Sequence, residues 1–313
     1  MNGVLLKQRG NYYNQMCVTM KQNLLNKEKE AVKFIRKAES LAMRMSDKGF
    51  HVAFSGGKDS QVLLALMELS GCKFHAEMQV TSVDSPNLMR FVRAKYPQVK
   101  LNLPQKNMRQ LILQKKILPT RQARYCCAIL KEQAGVGSCT CVGVRAAESA
   151  RRAKRKPIEV IGQKGVGFDI INDKLVLERS WGGQLFDLQT DTQVYCVKGK
   201  DKVVISPIFN WSDKDVWDFI RGNNMPYCDL YDMGFHRIGC LFCPVASVKE
   251  KQRELAMFPR FAERVYIRAI RELMSIGHYD NFNSPEQCFN WWISNENAAE
   301  WLSKKQQPSI FDL

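Results

Sequence analysis

His51-Val52-Ala53-Phe54-Ser55-Gly56-Gly57-Lys58-Asp59-Ser60-Gln61-Val62-Leu63-Leu64-Ala65-Leu66-Met67 is the stretch that decides the fold. An apolar run, a glycine turn and a second apolar run predict strand, loop and helix. Adjacent Gly56 and Gly57 permit positive φ and let successive N–H groups converge on one anion. The helix that starts there aims its free N–H groups and positive dipole end at the same point. Lys58 adds a full charge, and Ser55 and Ser60 add hydroxyl donors. Asp59 can orient loop N–H groups, or hold Mg²⁺ if ATP is the ligand. Residues 55–60 therefore predict a cradle for phosphate, pyrophosphate or sulfate. A Walker A loop would need Gly at position 52 and Ser or Thr at 59, where Val52 and Asp59 stand. The plain alternative is a tight turn with no ligand.

Outward from this loop, strands alternate with helices. Residues 74–83 read as a second strand that ends at Asp84, residues 88–95 as a helix, 99–103 as a third strand and 138–144 as a fourth that leads into Arg145. This predicts an α/β fold with a mostly parallel, doubly wound sheet, whose ligands sit beyond the C-terminal strand ends. Residues 14–45 show helical spacing of apolar positions, and 1–48 read as a helical N-terminal extension. Residues 49–246 read as the main domain. Within it, 158–205 break the rhythm with β-prone runs at 168–171, 174–177, 192–197 and 202–205, which predict a small antiparallel insertion. Residues 247–313 read as a helical C-terminal region with Phe258, Phe261, Val265, Ile267, Trp291 and Trp292 on its apolar face.

The 313 residues carry a net charge of +16. Residues 90–160 hold 17 Lys and Arg against 3 acids, a local +14 that exceeds what one nucleotide neutralises. A polyanion such as DNA or tRNA is the partner this charge predicts, and a solvated basic face is the alternative. No run of roughly 18 apolar residues is present, so no membrane span is expected. Eleven cysteines without a secretion signal predict a reducing cytoplasm, where cysteine clusters are more often metal or redox sites than disulfides.

Cys126-Cys127 is a vicinal pair, and Cys240-Leu241-Phe242-Cys243-Pro244 is a C-x-x-C. Four thiolates are what a [4Fe–4S] cluster needs. Structural zinc, a reactive dithiol and plain core packing are the alternatives. Cys139 and Cys141 alternate within a predicted strand and read as core. Cys17, Cys72, Cys196, Cys228 and Cys288 are isolated and carry no assigned chemistry.

Six motifs occur in order. They are residues 55–60, Val83-Asp84, Arg124-Tyr125-Cys126-Cys127 with Lys131, and Gly143-Val144-Arg145-Ala146-Ala147-Glu148-Ser149 with Arg152. Pro207-Ile208-Phe209-Asn210-Trp211 before Asp215-Val216-Trp217 follows, and then Gly234 with Arg237-Ile238-Gly239-Cys240 to Pro244. Over about two thirds of the chain the sequence resembles the phosphoadenosine/adenosine phosphosulfate reductase family, of the adenine nucleotide α-hydrolase type. The cysteine arrangement resembles its iron–sulfur branch. The resemblance implies that Ser55, Gly56, Gly57, Lys58, Asp59 and Ser60 cradle the phosphate or sulfate end of ATP, adenylyl sulfate or phosphoadenylyl sulfate. It places Asp84 by the adenosine and Arg145, Arg152 and Arg237 towards the anion, with Lys58, Asp59 and Arg145 carrying the chemistry. It implies that Cys126, Cys127, Cys240 and Cys243 hold a [4Fe–4S] cluster and that Lys131 faces both cluster and substrate.

The reductases use a cysteine near the C-terminus as nucleophile, in a Glu-Cys-Gly-x-His segment. Residues 303–313 contain no cysteine, and the neighbours of Cys288 do not match that segment. The leading expectation is therefore an ATP-dependent sulfurtransferase acting on DNA or tRNA, served by a sulfur-donor protein. The alternatives are a reductase releasing sulfite with a thiol-reductant protein, and a non-catalytic nucleotide or redox sensor. The acceptor, the donor and the oligomeric state are not legible.

Overall fold

A computed structural model of the chain describes residues 2–161, 166–171, 174–179, 186–187 and 202–306, with side chains over 22–160 and 202–304. In chain order its strands are β1 Phe50–Ala53, β2 Phe74–Gln79, β3 Lys100–Asn102, β4 Ser138–Cys141, β5 Ile158–Ile161, β6 Val166–Ile171, β7 Lys174–Arg179, β8 Phe186–Asp187 and β9 Lys202–Ile205. They form one sheet in the order β3-β2-β1-β4-β9-β5-β6-β7-β8. β1 lies parallel to β2 and β4, and β4 lies parallel to β9. The chain steps outward from β1 to β2 and β3, then returns to the other side of β1 as β4. That reversal is a topological switch point, where the loops leaving β1 and β4 share a crevice.

The α/β class, the parallel central sheet and the antiparallel insertion are as expected. β5 to β8 form an antiparallel ladder that adds to the sheet through β9. One run differs from its reading. Lys202–Ile205, counted with the insertion, is parallel to β4 and buried at Val203, Val204 and Ile205, so it is a strand of the central sheet. The run expected at 192–197 lies outside the described residues. No described helix is long and apolar enough to cross a membrane.

By contacts the chain divides into two compact units, differently from the three segments read off the sequence. The first comprises Met1–Met78, Phe91–Lys100 and Ala134–Cys228. Here the 44-residue helix α1, Asn2–Met45, buries Ala31, Ile35, Ala38 and Ala42 along one stripe at three- and four-residue steps. It is tied to helix α2, Lys58–Ser70, where the Arg36 guanidinium donates to the Ser70 carbonyl at 2.9 Å. Phe50, Val52, Cys139 and Cys141 are fully buried in the sheet, as a strand covered on both faces requires.

The second unit comprises Gln79–Arg90, Leu101–Gln133 and Asp229–Leu313. The C-terminal helices are part of it rather than an appendage. Tyr266, Phe289, Trp292 and Ile293 share one core with Val83, Met108, Cys126, Leu130, Leu241 and Phe242. The rings of Tyr266 and Trp292 stand 4.9 Å apart, and those of Phe242 and Phe289 stand 5.4 Å apart. The apolar face expected at Phe258, Phe261, Val265 and Trp291 packs against this cluster.

His51 on β1 is a buried polar exception in the first unit. Its Nδ1 stands 3.2 Å from Thr140 Oγ1, while its Nε2 has no hydrogen-bond partner. Burial, with the neighbouring His75, lowers its pKa from 6.5 to about 4. The unfolded chain takes up this proton below 6.5 and the fold does not. Stability is therefore full above 6.5 and falls as pH drops towards 4, by up to about 3 kcal/mol. His51→Gln should flatten the fall in urea-unfolding stability between pH 7.5 and 5. An unchanged pH dependence would remove His51 as its source.

Candidate functional site

The loop after β1 is a glycine turn that leads straight into α2. Gly56 takes φ +73°, which favours glycine, and Gly57 caps α2 with no side-chain hydrogen bond, so first-turn N–H groups of α2 are available to a ligand. Local bonds hold the turn. Ser60 Oγ donates to the Gly57 carbonyl at 2.8 Å, and Gln61 Nε2 donates to the Gly56 carbonyl at 2.8 Å. Gln61 is itself fixed by the Tyr96 hydroxyl at 3.1 Å.

Arg145, which follows β4, reaches this loop. Its Nε donates to Asp59 Oδ1 at 2.6 Å and its Nη2 to Asp213 Oδ1 at 2.9 Å. Lys58 Nζ lies 3.1 Å from Asp213 Oδ1 and 3.7 Å from Asp59 Oδ2. Two cations and two carboxylates thus alternate in one network. Arg145 is 3% exposed, whereas the Asp213 side chain is 62% exposed, so the network opens to solvent at Asp213. Burial alone would raise the Asp213 carboxyl, but Lys58 and Arg145 outweigh it and hold the carboxyl below its usual range.

Asp213 was missed by sequence reasoning. It opens the helix Asp213–Gly222, directly after the N-cap Ser212, and only a helix start rich in acid marked it. The nearby Asp215, which was singled out, instead accepts from Ser212 and pairs with Lys27 at 2.6 Å. Arg152 forms an ion pair with Glu148, and Arg155 pairs with Glu159. A small part of the local +14 is matched by acids outside its own stretch, since Lys100 pairs with Glu77, Arg109 with Glu272, and Arg145 with Asp59 and Asp213.

The loops after β1 and β4 meet at Gly143. A Cβ there would stand 2.9 Å from the backbone C and O of Asp59. Gly143→Ala must therefore shift the cradle. Nucleotide affinity should fall by about tenfold, as misplacement of a preorganised site costs, with little change in melting temperature. Calorimetric titration with ATP checks this, and undiminished affinity would show that the cradle does not bind nucleotide.

The four cysteines, Asp84 and Lys131 all belong to the second unit. Cys126 and Cys127 open the short helix Tyr125–Leu130. Arg124 Nη2 approaches Cys127 Sγ at 3.3 Å. Hydrogen bonding from the Cys126 thiol, followed by Arg124 and Lys131, holds the Cys127 thiol below its usual range, and the Cys126 thiol is pushed up. Cys240 forms an antiparallel bridge with Asp84, and its Sγ lies 3.4 Å from Thr81 Oγ1. Asp84 Oδ2 accepts from the Thr81 N–H at 2.7 Å. Desolvation opposes the charge on Lys131, but Cys240, Asp84 and Cys127 together raise its pKa. Arg237 is exposed on the segment before Cys240.

Cys127 and Cys243 both act electrostatically on Arg124, Cys240 and Cys127 on Lys131, and Cys240 on Cys126, so the four thiols and two cations lie within electrostatic reach of one another. Among the described residues no group of three or more His, Cys, Asp or Glu could hold one metal ion. A single tetrahedral ion draws its sulfurs close together, whereas a four-iron cluster binds one sulfur at each corner of a larger body. Four thiols with Arg124 and Lys131 beside them fit the chemistry of such a cluster. Cys139 and Cys141 are fully buried in the sheet, and burial raises both thiols, so the core reading of that pair holds.

Residues 49–246 match the model of the phosphoadenosine phosphosulfate reductase domain. The chain belongs to that family. It is 27% identical over 239 residues to an uncharacterized protein of Methanocaldococcus jannaschii, a match covering 74% of this chain and 50% of that protein. The chain spans about half the length of the archaeal relatives it matches. A 46-residue segment is 54% identical to adenosine 5′-phosphosulfate reductase of Neisseria meningitidis, covering 15% of this chain and 18% of that enzyme. Among solved structures it is similar to phosphoadenylyl-sulfate reductase from Candida auris, with a TM-score of 0.42, 16% identity, and coverage of 67% of this chain and 90% of that one.

Proposed function

We propose that the chain is an iron–sulfur, ATP-dependent sulfurtransferase acting on DNA or tRNA. The observation that carries this reading is the second carboxylate, Asp213, standing with Asp59 among Lys58 and Arg145. A sulfonucleotide anion calls for cations alone. ATP arrives with Mg²⁺, which is commonly held by one or two carboxylates together with the phosphates. Cys288 supports the same reading. It is fully buried and burial raises its thiol to about 12, so it is not a mobile nucleophile. Arg151, Lys154 and Lys156 are exposed and suit a phosphate backbone.

In this reading an acceptor oxygen attacks the α-phosphorus of ATP and the α–β bridging bond breaks. Lys58 and the α2 N-terminus stabilise the departing pyrophosphate. Asp59 and Asp213 would hold the Mg²⁺ that accompanies ATP, and Arg145 fixes both carboxylates. Sulfur at the hydrosulfide level, brought by a donor protein, then attacks the activated atom and AMP leaves. A [4Fe–4S] cluster held by Cys126, Cys127, Cys240 and Cys243 would supply a thiolate-ligated centre at which such sulfur can be bound.

Anaerobically purified protein should absorb broadly near about 400 nm, and Ser at any of the four cysteines should bleach it while Cys139→Ser does not. Zinc without iron or sulfide in that protein would overturn the cluster. Pyrophosphate release from ATP should rise several-fold when DNA or tRNA is added, and Asp213→Asn should abolish most of it. Sulfite release from adenosine phosphosulfate with a thiol, and no pyrophosphate from ATP, would mark a reductase instead.

A further inference from the structure

The C-x-x-C turn is held by residues beyond the family domain. Phe242, between the two cysteines, is fully buried and takes φ +55°, a left-handed conformation that a bulky residue adopts only when its surroundings impose it. Three contacts impose it. The Phe242 N–H donates to Glu254 Oε2 at 2.6 Å, the Leu241 N–H to the Val83 carbonyl at 2.7 Å, and the Tyr266 hydroxyl to the Leu241 carbonyl at 3.1 Å. Tyr266 lies in a π-helical segment, Glu263–Ile267, a form often found at functional positions. Glu254 and Tyr266 both lie after residue 246, where the family match ends.

Lys251 precedes Glu254 by one turn of the helix Val248–Met257. It has no measurable exposure. Its Nζ donates to Asn295 Oδ1 at 2.6 Å and lies 5.6 Å from the centre of the Trp292 ring. Among the described residues no carboxylate lies within ion-pair distance of it. The charges that act on it are Arg121, unfavourably, and Cys243 and Glu254, favourably, and burial pulls its pKa down to about 8. A buried ammonium with only a neutral hydrogen-bond partner is costly to a fold. Such a charge is stabilised where an anionic centre stands near it, and Glu254, one turn along the same helix, is bonded to the backbone of the turn between Cys240 and Cys243.

We infer that Lys251 and Glu254 are positioning residues for an iron–sulfur cluster on the Cys240–Cys243 turn. Glu254 fixes the backbone of the turn, and Lys251 supplies buried positive charge to the thiolate end. This rests on the iron–sulfur reading of the four cysteines, and it assigns to the C-terminal helices a part in that site. Outer partners of this kind orient ligands and tune the metal centre. A cation beside the cluster favours its reduced, more negative state, so removing the cation must lower the reduction potential.

The test uses the whole chain, purified and reconstituted without oxygen, and reads iron and sulfide content, the spectrum of the reduced cluster and its midpoint potential. Lys251→Met should shift the potential negatively or lose the cluster, and Lys251→Arg should restore most of the wild-type value. The melting temperature of the iron-free protein should stay level or rise in Lys251→Met, since a buried charge is replaced by an apolar chain of similar length. Glu254→Leu should lower iron per chain several-fold, and Glu254→Gln, which keeps an acceptor oxygen, should restore it. A loaded wild type with Lys251→Met and Glu254→Leu indistinguishable from it overturns this inference alone. A wild type that takes up no iron and sulfide overturns both the inference and the reading it rests on.

Discussion

Arg145 is the constraint on which the candidate nucleotide site depends. One buried guanidinium bonds Asp59 from the β1 loop and Asp213 from the helix Asp213–Gly222. A planar fork does this with separate donors, Nε and Nη2, held at fixed angles, where a lysine would offer a single ammonium. Removing it would leave two carboxylates with only Lys58 between them. The parallel pairing of β1 with β4 brings the β4 loop close enough for the guanidinium to reach, and Gly143 lets the two backbones approach. The switch point and the charge network are therefore one feature at two scales.

The second unit obeys a different logic. Its cysteines lie on short, irregular segments, so their positions are fixed by packing and by hydrogen bonds to buried backbone. The aromatic core of Phe242, Tyr266, Phe289 and Trp292 supplies the packing, and Glu254 and Tyr266 supply the bonds. A C-terminal region that reads as a helical extension is thereby built into the wall of the cysteine site.

Much of this was legible in the sequence because it is local. The strand, glycine turn and helix of 50–70, the vicinal cysteines and the C-x-x-C are read from neighbours in the chain. Arg145 was legible through its motif. Asp213 was not, since nothing in its spacing shows that a helix start some seventy residues on will meet Arg145. Lys202–Ile205 was grouped with its antiparallel neighbours because a short β-prone run carries no sign of its pairing direction. The Arg152–Glu148 pair spans the extended Ser149 between two short helical turns, so helical periodicity does not announce it. Lys251 and Glu254 look like the polar face of an amphipathic helix, and only the fold shows them buried.

The most direct measurement of the central claim is the metal dependence of nucleotide binding. Calorimetric titration of the protein with ATP, with and without Mg²⁺, and with adenosine phosphosulfate separates a site of cations alone from one of cations and carboxylates. Lys58 and Arg145 matched by Asp59 and Asp213 predict ATP binding that tightens by about tenfold or more with Mg²⁺, and a weaker, metal-independent interaction with the sulfonucleotide. ATP binding indifferent to Mg²⁺, with the sulfonucleotide bound more tightly, would contradict it.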